Sequence, residues 1–290
     1  MFPFTQKNII PKGVLGINER NVSYVYKKNP RTHFPLADDK VLCKTELHRA
    51  NISCPQTYTV IKRIGDIPAC WEVASQFPKL AVKPANGSGG GGIIILKKTQ
   101  DNKWLKGDKP ISQKQIFTHM ARILMGMYAF GSTDQVLIEA CIEPHDFFSE
   151  IFPEGVPDFR VILVDNQPVM SMLRMPTERS EGKANLHQGG LGIGIDMAKG
   201  KLTQAYDGKQ FYDVHPDNQF QISGKTIPFW DAIVDLAIQT SKAFPLNYLG
   251  VDIVLTAEGP VVLEINVRPG LGIQLANKQG LKNAISKLNQ

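Results

Sequence analysis

The sequence predicts an α+β fold. Strand-length apolar runs and amphipathic helical stretches mix without strict alternation, one pair of strands encloses a glycine loop, and the last pair forms a hairpin with acids on one face. Residues 1–37 are rich in Pro, Asn and Lys, are weakly periodic, and read as an extended or partly irregular arm. Asp38 and Asp39 then cap a helix over 40–50, with Val41, Leu42, Leu47 and Ala50 on its apolar side. A strand is expected at 57–62 and a short helix at 69–77. Two buried strands, 80–83 and 92–97, flank the glycine loop. Residues 99–112 are polar and turn-rich. A helix follows over 113–128 and a strand over 136–140. Strands 159–164 and 168–175 flank Asp165-Asn166, a hairpin-turn signal. Residues 178–228 are glycine-rich and read as a site loop followed by an irregular insertion. A helix over 230–243, a hairpin over 250–266 and one or two short helices complete the chain.

The bulk properties narrow the class. A chain of 290 residues is long enough for one large domain or two lobes, and 42% hydrophobic residues is ordinary for a globular protein. The longest aliphatic run, 93–96, is far too short to span a bilayer. Residues 1–13 contain Pro3, Lys7 and Pro11 and do not read as a secretory signal, so a cytoplasmic location is expected. The cysteines at 43, 54, 70 and 141 form no Cys-x-x-Cys pair, which argues against a zinc site or a disulfide framework. The net charge of +6 is concentrated: within 1–35, Lys7, Lys12, Arg20, Lys27, Lys28 and Arg31 face only Glu19. Such a segment suits an acidic peptide, an anionic membrane or nucleic acid, or is simply a solvated basic face. No nucleic-acid module accompanies it, so no nucleic-acid partner is expected.

The glycine loop, Lys83-Pro-Ala-Asn-Gly87-Ser88-Gly89-Gly90-Gly-Gly92, is the most informative stretch. Glycines let backbone N–H groups approach phosphate oxygens, and Lys83 adds a point charge at the mouth. A Walker loop or a dinucleotide fingerprint must lead into a helix. This loop leads into Ile93-Ile-Ile-Leu, a strand, so both are excluded. What remains is a strand-loop-strand flap able to fold over a triphosphate, or a plain hairpin tip.

The terminal hairpin carries Asp252, Glu264 and Asn266. A loop at Ala257-Glu258-Gly259 places Thr256 opposite Pro260, and counting back places Asp252 opposite Glu264. Alternation puts Glu264 and Asn266 on one face with Val262, and Val261, Leu263 and Ile265 on the other. Two carboxylates and an amide suit Mg²⁺; the competing reading is an exposed polar face. Asp158 and Arg160 share a face at the start of their strand. Lys183 and Asn185 sit in a loop offering a cation and an amide, and His187, Ser88 and the cysteines lack the partners of a nucleophile.

In order along the chain, Asp39-Lys40, Val82-Lys83 with its glycine loop, Val136-Leu-Ile-Glu139, Asp158-Phe-Arg160, Asn185-Leu-His-Gln-Gly-Gly190, Gly250-Val-Asp252-Ile and Glu264-Ile-Asn266-x-x-Pro-Gly270 resemble the ATP-grasp superfamily. The set looks closest to the alpha-L-glutamate ligases. The resemblance implies two α/β lobes with a nucleotide cleft between them, over 39–142 and 143–290, preceded by the basic arm 1–38 in place of the usual full N-terminal domain. It implies that Lys40, Lys83 and the loop residues Gly87, Ser88, Gly89 and Gly90 bind ATP phosphates. It implies that Glu139, Ala140, Cys141 and Ile142 form the adenine-binding link and that Asp158 holds the ribose. Lys183 and Asn185 complete the phosphate and metal surroundings. Asp252, Glu264 and Asn266 hold two Mg²⁺ ions, with Mn²⁺ as a substitute.

The implied chemistry is carboxylate–amine ligation through an acyl-phosphate, with Arg160 and Arg268 as the catalytic cations and glutamate or another amino acid as a substrate. An acidic peptide is an implied acceptor, and a second copy or a partner protein would supply the missing wall of the site. Arg268 departs from the glutamate ligases, which have a small residue there. A nucleotide-binding regulator or scaffold without turnover is the alternative from another class.

Overall fold

The computed structural model describes residues 11–87, 89–129 and 131–289, and Ser88 and Lys7 lie outside them. The chain divides into two compact units.

The first unit comprises Asp38–Thr45 and Cys54–Ile142. Its sheet contains β1 (Thr57–Ile61), β2 (Lys79–Pro84), β3 (Ile94–Lys98), β4 (Trp104–Lys106), β5 (Lys109–Ile111) and β6 (Val136–Ala140). The strands lie in the order β1-β6-β2-β3-β4-β5, and every pairing is antiparallel. Helix α1 (Lys40–Arg49) begins in this unit, with Asp39 Oδ1 accepting from the N–H groups of Val41 and Leu42 at 2.7 and 3.1 Å. Helices α2 (Ile67–Ala74) and α3 (Gln113–Leu124) pack their apolar faces on the sheet, joining Ile61, Leu80, Val82, Leu96 and Ile138 in one core. Ser112 and Gln115 close a capping box at the start of α3. The polar stretch at 99–112 holds the β4–β5 hairpin. Its strands are only three residues long and too short to show a period.

The second unit comprises the residues up to Ala37, Glu46–Ser53 and Glu143–Gln290. Its sheet runs β11-β10-β9-β8-β7-β12-β13, made from β7 (Asp158–Val164), β8 (Gln167–Met175), β9 (Leu191–Asp196), β10 (Lys201–Tyr206), β11 (Phe211–Tyr212), β12 (Tyr248–Thr256) and β13 (Gly259–Asn266). Every residue of β7 and β12 is buried, and helix α4 (Trp230–Ala243) packs across β7, β12 and β13. Asp165 and Asn166 turn β7 into β8 with φ of +50° and +63°, as their dipeptide requires. The glycine-rich stretch 178–228 is more ordered than its composition suggests. Gly192 and Gly194 lie in β9 beside close neighbours: a Cβ on Gly192 would be tight against Ala276 Cβ at 3.3 Å, and one on Gly194 would clash with Thr203 Oγ1 at 2.5 Å.

Among the described residues, from 11 onward, the N-terminal segment is helical rather than extended. Ile17–Arg20, Asn21–Val25 and Tyr26–Lys28 form successive α-, π- and α-helical turns, and Arg31–His33 and Pro35–Asp38 add two more. Weak periodicity hid them, because a π turn breaks the 3.6-residue repeat. Long-range polar contacts hold the segment to its unit. Asn29 Oδ1 accepts from the N–H groups of Asn247 and Tyr248 at 2.8 and 2.9 Å, and its Nδ2 donates to the Tyr248 carbonyl at 2.6 Å. Gln274 likewise accepts from Leu15 N–H at 2.7 Å and donates to its carbonyl at 3.1 Å.

Asn29→Ala strands three backbone groups at the start of β12, and each buried group left unpaired costs about 1–3 kcal/mol. Urea unfolding is expected to show a loss of at least about 2 kcal/mol. A loss below about 0.5 kcal/mol, the range of ordinary surface changes, would mean that the segment is not docked this way.

Candidate active site

In the second unit the register of three strands builds a cluster of charge. Asp252 on β12 lies opposite Arg160 on β7, and Asp158 on β7 lies opposite Arg174 on β8. Arg160 Nε and Nη2 donate to Asp252 Oδ1 and Oδ2 at 2.8 and 2.6 Å. Arg174 donates from Nη2 to Asp252 Oδ2 at 2.6 Å and from Nε to Asp158 Oδ1 at 2.6 Å. All four side chains are buried, Asp252 completely. Two cations and two anions sum to zero, which is how so much charge is tolerated away from water.

The two carboxyls are held differently. Burial pushes Asp158 up, to about 6; Arg174 opposes the rise and the charge of Asp252 adds to it. Burial acts on Asp252 as well, but the guanidiniums of Arg160 and Arg174 outweigh it and hold that carboxyl down at about 2. Arg174 is pushed up: its burial opposes the charge, and Asp158 and Asp252 more than compensate.

Across the hairpin Asp252 is paired with Glu264, as counting along the strands predicts, although two local errors cancel to give that result. The turn is one residue tighter, with Thr256 opposite Gly259 and Leu255 opposite Pro260, and a bulge after Asp252 restores the register. The bulge also changes the faces: Val262 and Ile265 are the buried positions, while Leu263, Glu264 and Asn266 are half-buried, so Val262 does not share Glu264's face. Asn266 Nδ2 is buried without a partner that meets hydrogen-bond geometry, although the amide leans on Asp252 closely enough to help lower its pKa.

Among the described residues no group of three or more His, Cys, Asp or Glu could hold a metal ion. A site here would rest on two acids and an amide. The donors on offer would be carboxylate oxygens and the Asn266 carbonyl oxygen, the hard ligands that Mg²⁺ prefers. An ionised carboxylate offers about four acceptor directions, and the arginines use three.

The first unit carries a second buried cluster. Lys83 on β2 forms an ion pair with Glu139 Oε1 on β6, and Lys44 on α1 comes within 2.6 Å of Glu139 Oε2. Ala140, Cys141 and Ile142 continue from Glu139, with Ala140 N–H donating to the Gln56 carbonyl at 2.8 Å. Cys141 is half-buried, and burial pushes the nearby Cys54 thiol up. The glycine loop leaves β2 with Lys40 Nζ donating to the Gly87 carbonyl at 2.6 Å. Gly89, Gly90 and Gly92 all have positive φ. At Gly92 a Cβ would strike the Tyr128 ring at 2.7 Å, and the Gly92 carbonyl is 2.8 Å from His119 Nε2.

Lys183 is exposed on the turn after Ser180, and the Asn185 carbonyl accepts from Gln188 and Gly190 N–H groups at 2.9 and 3.1 Å. Arg268 is exposed with its guanidinium 4.9 Å from the centre of the Phe34 ring. Arg174 and Lys44 were missed by sequence reasoning. Lys44 had a signal, since it lies four residues after Lys40 on one helix and therefore on the same face. Arg174 had none. Counting back from the Asp165-Asn166 turn puts Leu173 opposite Asp158, and a bulge between Ile162 and Leu163 moves Arg174 there.

Arg174→Met leaves Asp158 buried without its bonded cation. Breaking a buried pair in this way typically costs about 3–5 kcal/mol. Denaturant unfolding should show that loss, and Asp158→Asn in the same chain should recover part of it. An Arg174→Met protein as stable as the parent would mean that the pair is not formed.

Comparison with known proteins follows the motifs. A "Probable alpha-L-glutamate ligase" of Trichodesmium erythraeum (strain IMS101) is 24% identical over 265 residues, covering 91% of this chain and 67% of the relative. A second, from Stenotrophomonas maltophilia (strain R551-3), is 25% identical over 200 residues, covering 69% of this chain and 47% of the relative, so the chain spans about half of that protein. The crystal structure of D-alanine–D-alanine ligase from Bacillus anthracis has the same fold, with a TM-score of 0.50 at 13% identity over 89% of this chain and 68% of that one. Among the described residues no helix is long and apolar enough to cross a membrane. The ordered motifs, the two antiparallel sheets and a family model matching residues 19–290 agree: the chain belongs to the sugar-transfer associated ATP-grasp family.

Proposed function

We propose that the chain is an ATP-dependent carboxylate–amine ligase that forms an amide bond through an acyl-phosphate, adding glutamate or another amino acid to a peptide or small-molecule acceptor in the cytoplasm. The observation that carries this reading is the buried pairing of Asp252 with Arg160 and Arg174 beside Glu264 and Asn266. A site that only had to grip a nucleotide would have little use for two guanidiniums locked beside an acid pair.

In this reading a substrate carboxylate oxygen attacks the γ-phosphorus of ATP in line, the bond to the β–γ bridging oxygen breaks, and ADP leaves. Lys83, Lys40 and the N–H groups of the glycine loop bind phosphate oxygens. Arg160 supplies positive charge where the transferring group gathers negative charge. Asp252, Glu264 and Asn266 would hold Mg²⁺, or Mn²⁺ in its place, which neutralises charge on the phosphates when bound. An amine then attacks the acyl carbon, phosphate leaves, and the amine loses a proton. Arg268 steadies the tetrahedral oxyanion. Closure of the glycine loop keeps water from the acyl-phosphate. The relatives' names point to glutamate as the amino acid to test first.

The test is ATP-dependent phosphate release with individual amino acids, starting with L-glutamate. Release should require an added amino acid. Glu264→Ala should fold normally and lose about 10²–10³-fold in rate, the scale seen when one transition-state charge contact is removed. Activity within a few-fold of the parent would remove Glu264 from the mechanism, and ATP binding without turnover on any amino acid would favour a non-catalytic binder.

A further inference from the structure

The lysine that this reading assigns to phosphate is already committed to a carboxylate. Lys83 pairs with Glu139, and a buried carboxylate stripped of its cation is strongly unfavourable. A lysine that had to abandon Glu139 to reach a nucleotide would lose affinity by the same amount.

Lys44 changes that balance. Its Nζ lies 2.6 Å from Glu139 Oε2, and the side chains of Lys44, Lys83 and Glu139 are only 5, 5 and 3% exposed. The approach to Oε2 lies off the hydrogen-bonding direction, so it is a charge contact. The directed hydrogen bond of Lys44 runs instead to the Pro55 carbonyl at 2.5 Å. Lys44 is therefore tethered at both ends, by helix α1 and by Pro55. Two cations on one carboxylate leave a buried excess of one positive charge, where a neutral pair would have sufficed. An arriving phosphate cancels that excess if Lys83 turns to it while Lys44 stays on Glu139.

We infer that Lys44 is a positioning residue, a fixed counter-ion that holds Glu139 and so releases Lys83 to a nucleotide phosphate. The inference rests on the proposed phosphate role of Lys83. It gives Glu139 the task of holding Lys83 ready in the unliganded site.

Calorimetric titration with MgATP tests it on the parent, K44M, K44R, E139Q and K44M/E139Q, with thermal unfolding confirming that each is folded. K44M should bind about tenfold or more weakly, because Lys83 can leave only by baring a buried charge. K44R keeps the charge and should stay near the parent. K44M/E139Q has no carboxylate to bare and should return to within about threefold of E139Q, a non-additivity expected only of coupled groups. A double variant as weak as K44M overturns the inference, because Lys44 then acts on the nucleotide or on the fold rather than through Glu139. A folded K44M that binds like the parent overturns it as well. Should K44M fail to fold, K44Q/E139Q against E139Q carries the test: equal affinity supports the inference and weaker binding overturns it. A folded parent that does not bind MgATP overturns the phosphate reading itself, an outcome distinct from the two above.

Discussion

The second unit depends on one constraint: Asp252 must be buried and charged at once. Its carboxylate sits on the strand next to the edge of a seven-stranded sheet, yet completely shielded from solvent. Left alone there it would take up a proton. Two guanidiniums prevent this, and each is available only because the adjoining strands present it on the same face. Arg160 comes directly opposite on β7, and Arg174 reaches across from β8. Arginine suits this work better than lysine, since a planar fork can bind two oxygens or bridge two acids from one buried position. Asp158 is then the acid that balances Arg174. The sheet order and the strand registers are thus tied to a charge sum, and a slip of one residue in β7 or β8 would turn a cation away from its anion.

The first unit solves a related problem differently. Its buried group around Glu139 does not sum to zero, and its cations are lysines, whose compact charge on a flexible stem can change partners. Beside it the glycine loop stands on firm supports at both ends: Lys40 binds the Gly87 carbonyl, and Tyr128 and His119 pack against Gly92. Burial lowers the pKa of His119, which favours its neutral form at the Gly92 carbonyl. The second unit thus holds a locked neutral cluster, and the first a cluster with charge to spare.

Much of this was legible in the sequence. Counting back from the turn at 257–259 placed Asp252 against Glu264, and the strand after Gly92 excluded helix-linked phosphate loops. The residues that escaped did so for physical reasons. Strand counting assumes a regular ladder, and bulges between Asp252 and Ile253 and between Ile162 and Leu163 break it. The first bulge repaired a wrong turn assignment, and the second concealed Arg174. Glycines in β9 read as loop because their reason for being there is the closeness of Thr203 on the next strand and of Ala276, far along the chain. Lys44 was visible as a helical neighbour of Lys40, but only Glu139, ninety-five positions away, gives it a role.

Part of the charge of the N-terminal segment has an internal task. Arg20 is buried and donates to the carbonyl of Pro269 at 3.0 Å. Pro269 in turn lies over Gly250, where a Cβ would meet it at 2.7 Å, and Gly270 comes within 3.7 Å, measured from such a Cβ, of Arg160 Nη1. Along β12 the residues Tyr248, Gly250 and Asp252 alternate onto one face, the face that carries the charge cluster. Tyr24 packs beside Tyr248 with ring centroids 5.6 Å apart, Asn29 caps the start of that strand, and Phe34 lies under Arg268. The helical turns therefore cover the sheet on the side of the candidate site and fix the turn that carries Arg268. Gly250 has no side chain because Pro269 needs the space, and Pro269 is held there by an arginine about two hundred and fifty residues earlier in the sequence. The basic character of the segment is in part a consequence of this task, since a carbonyl at the end of a buried turn is best held by a guanidinium that can satisfy several acceptors at once.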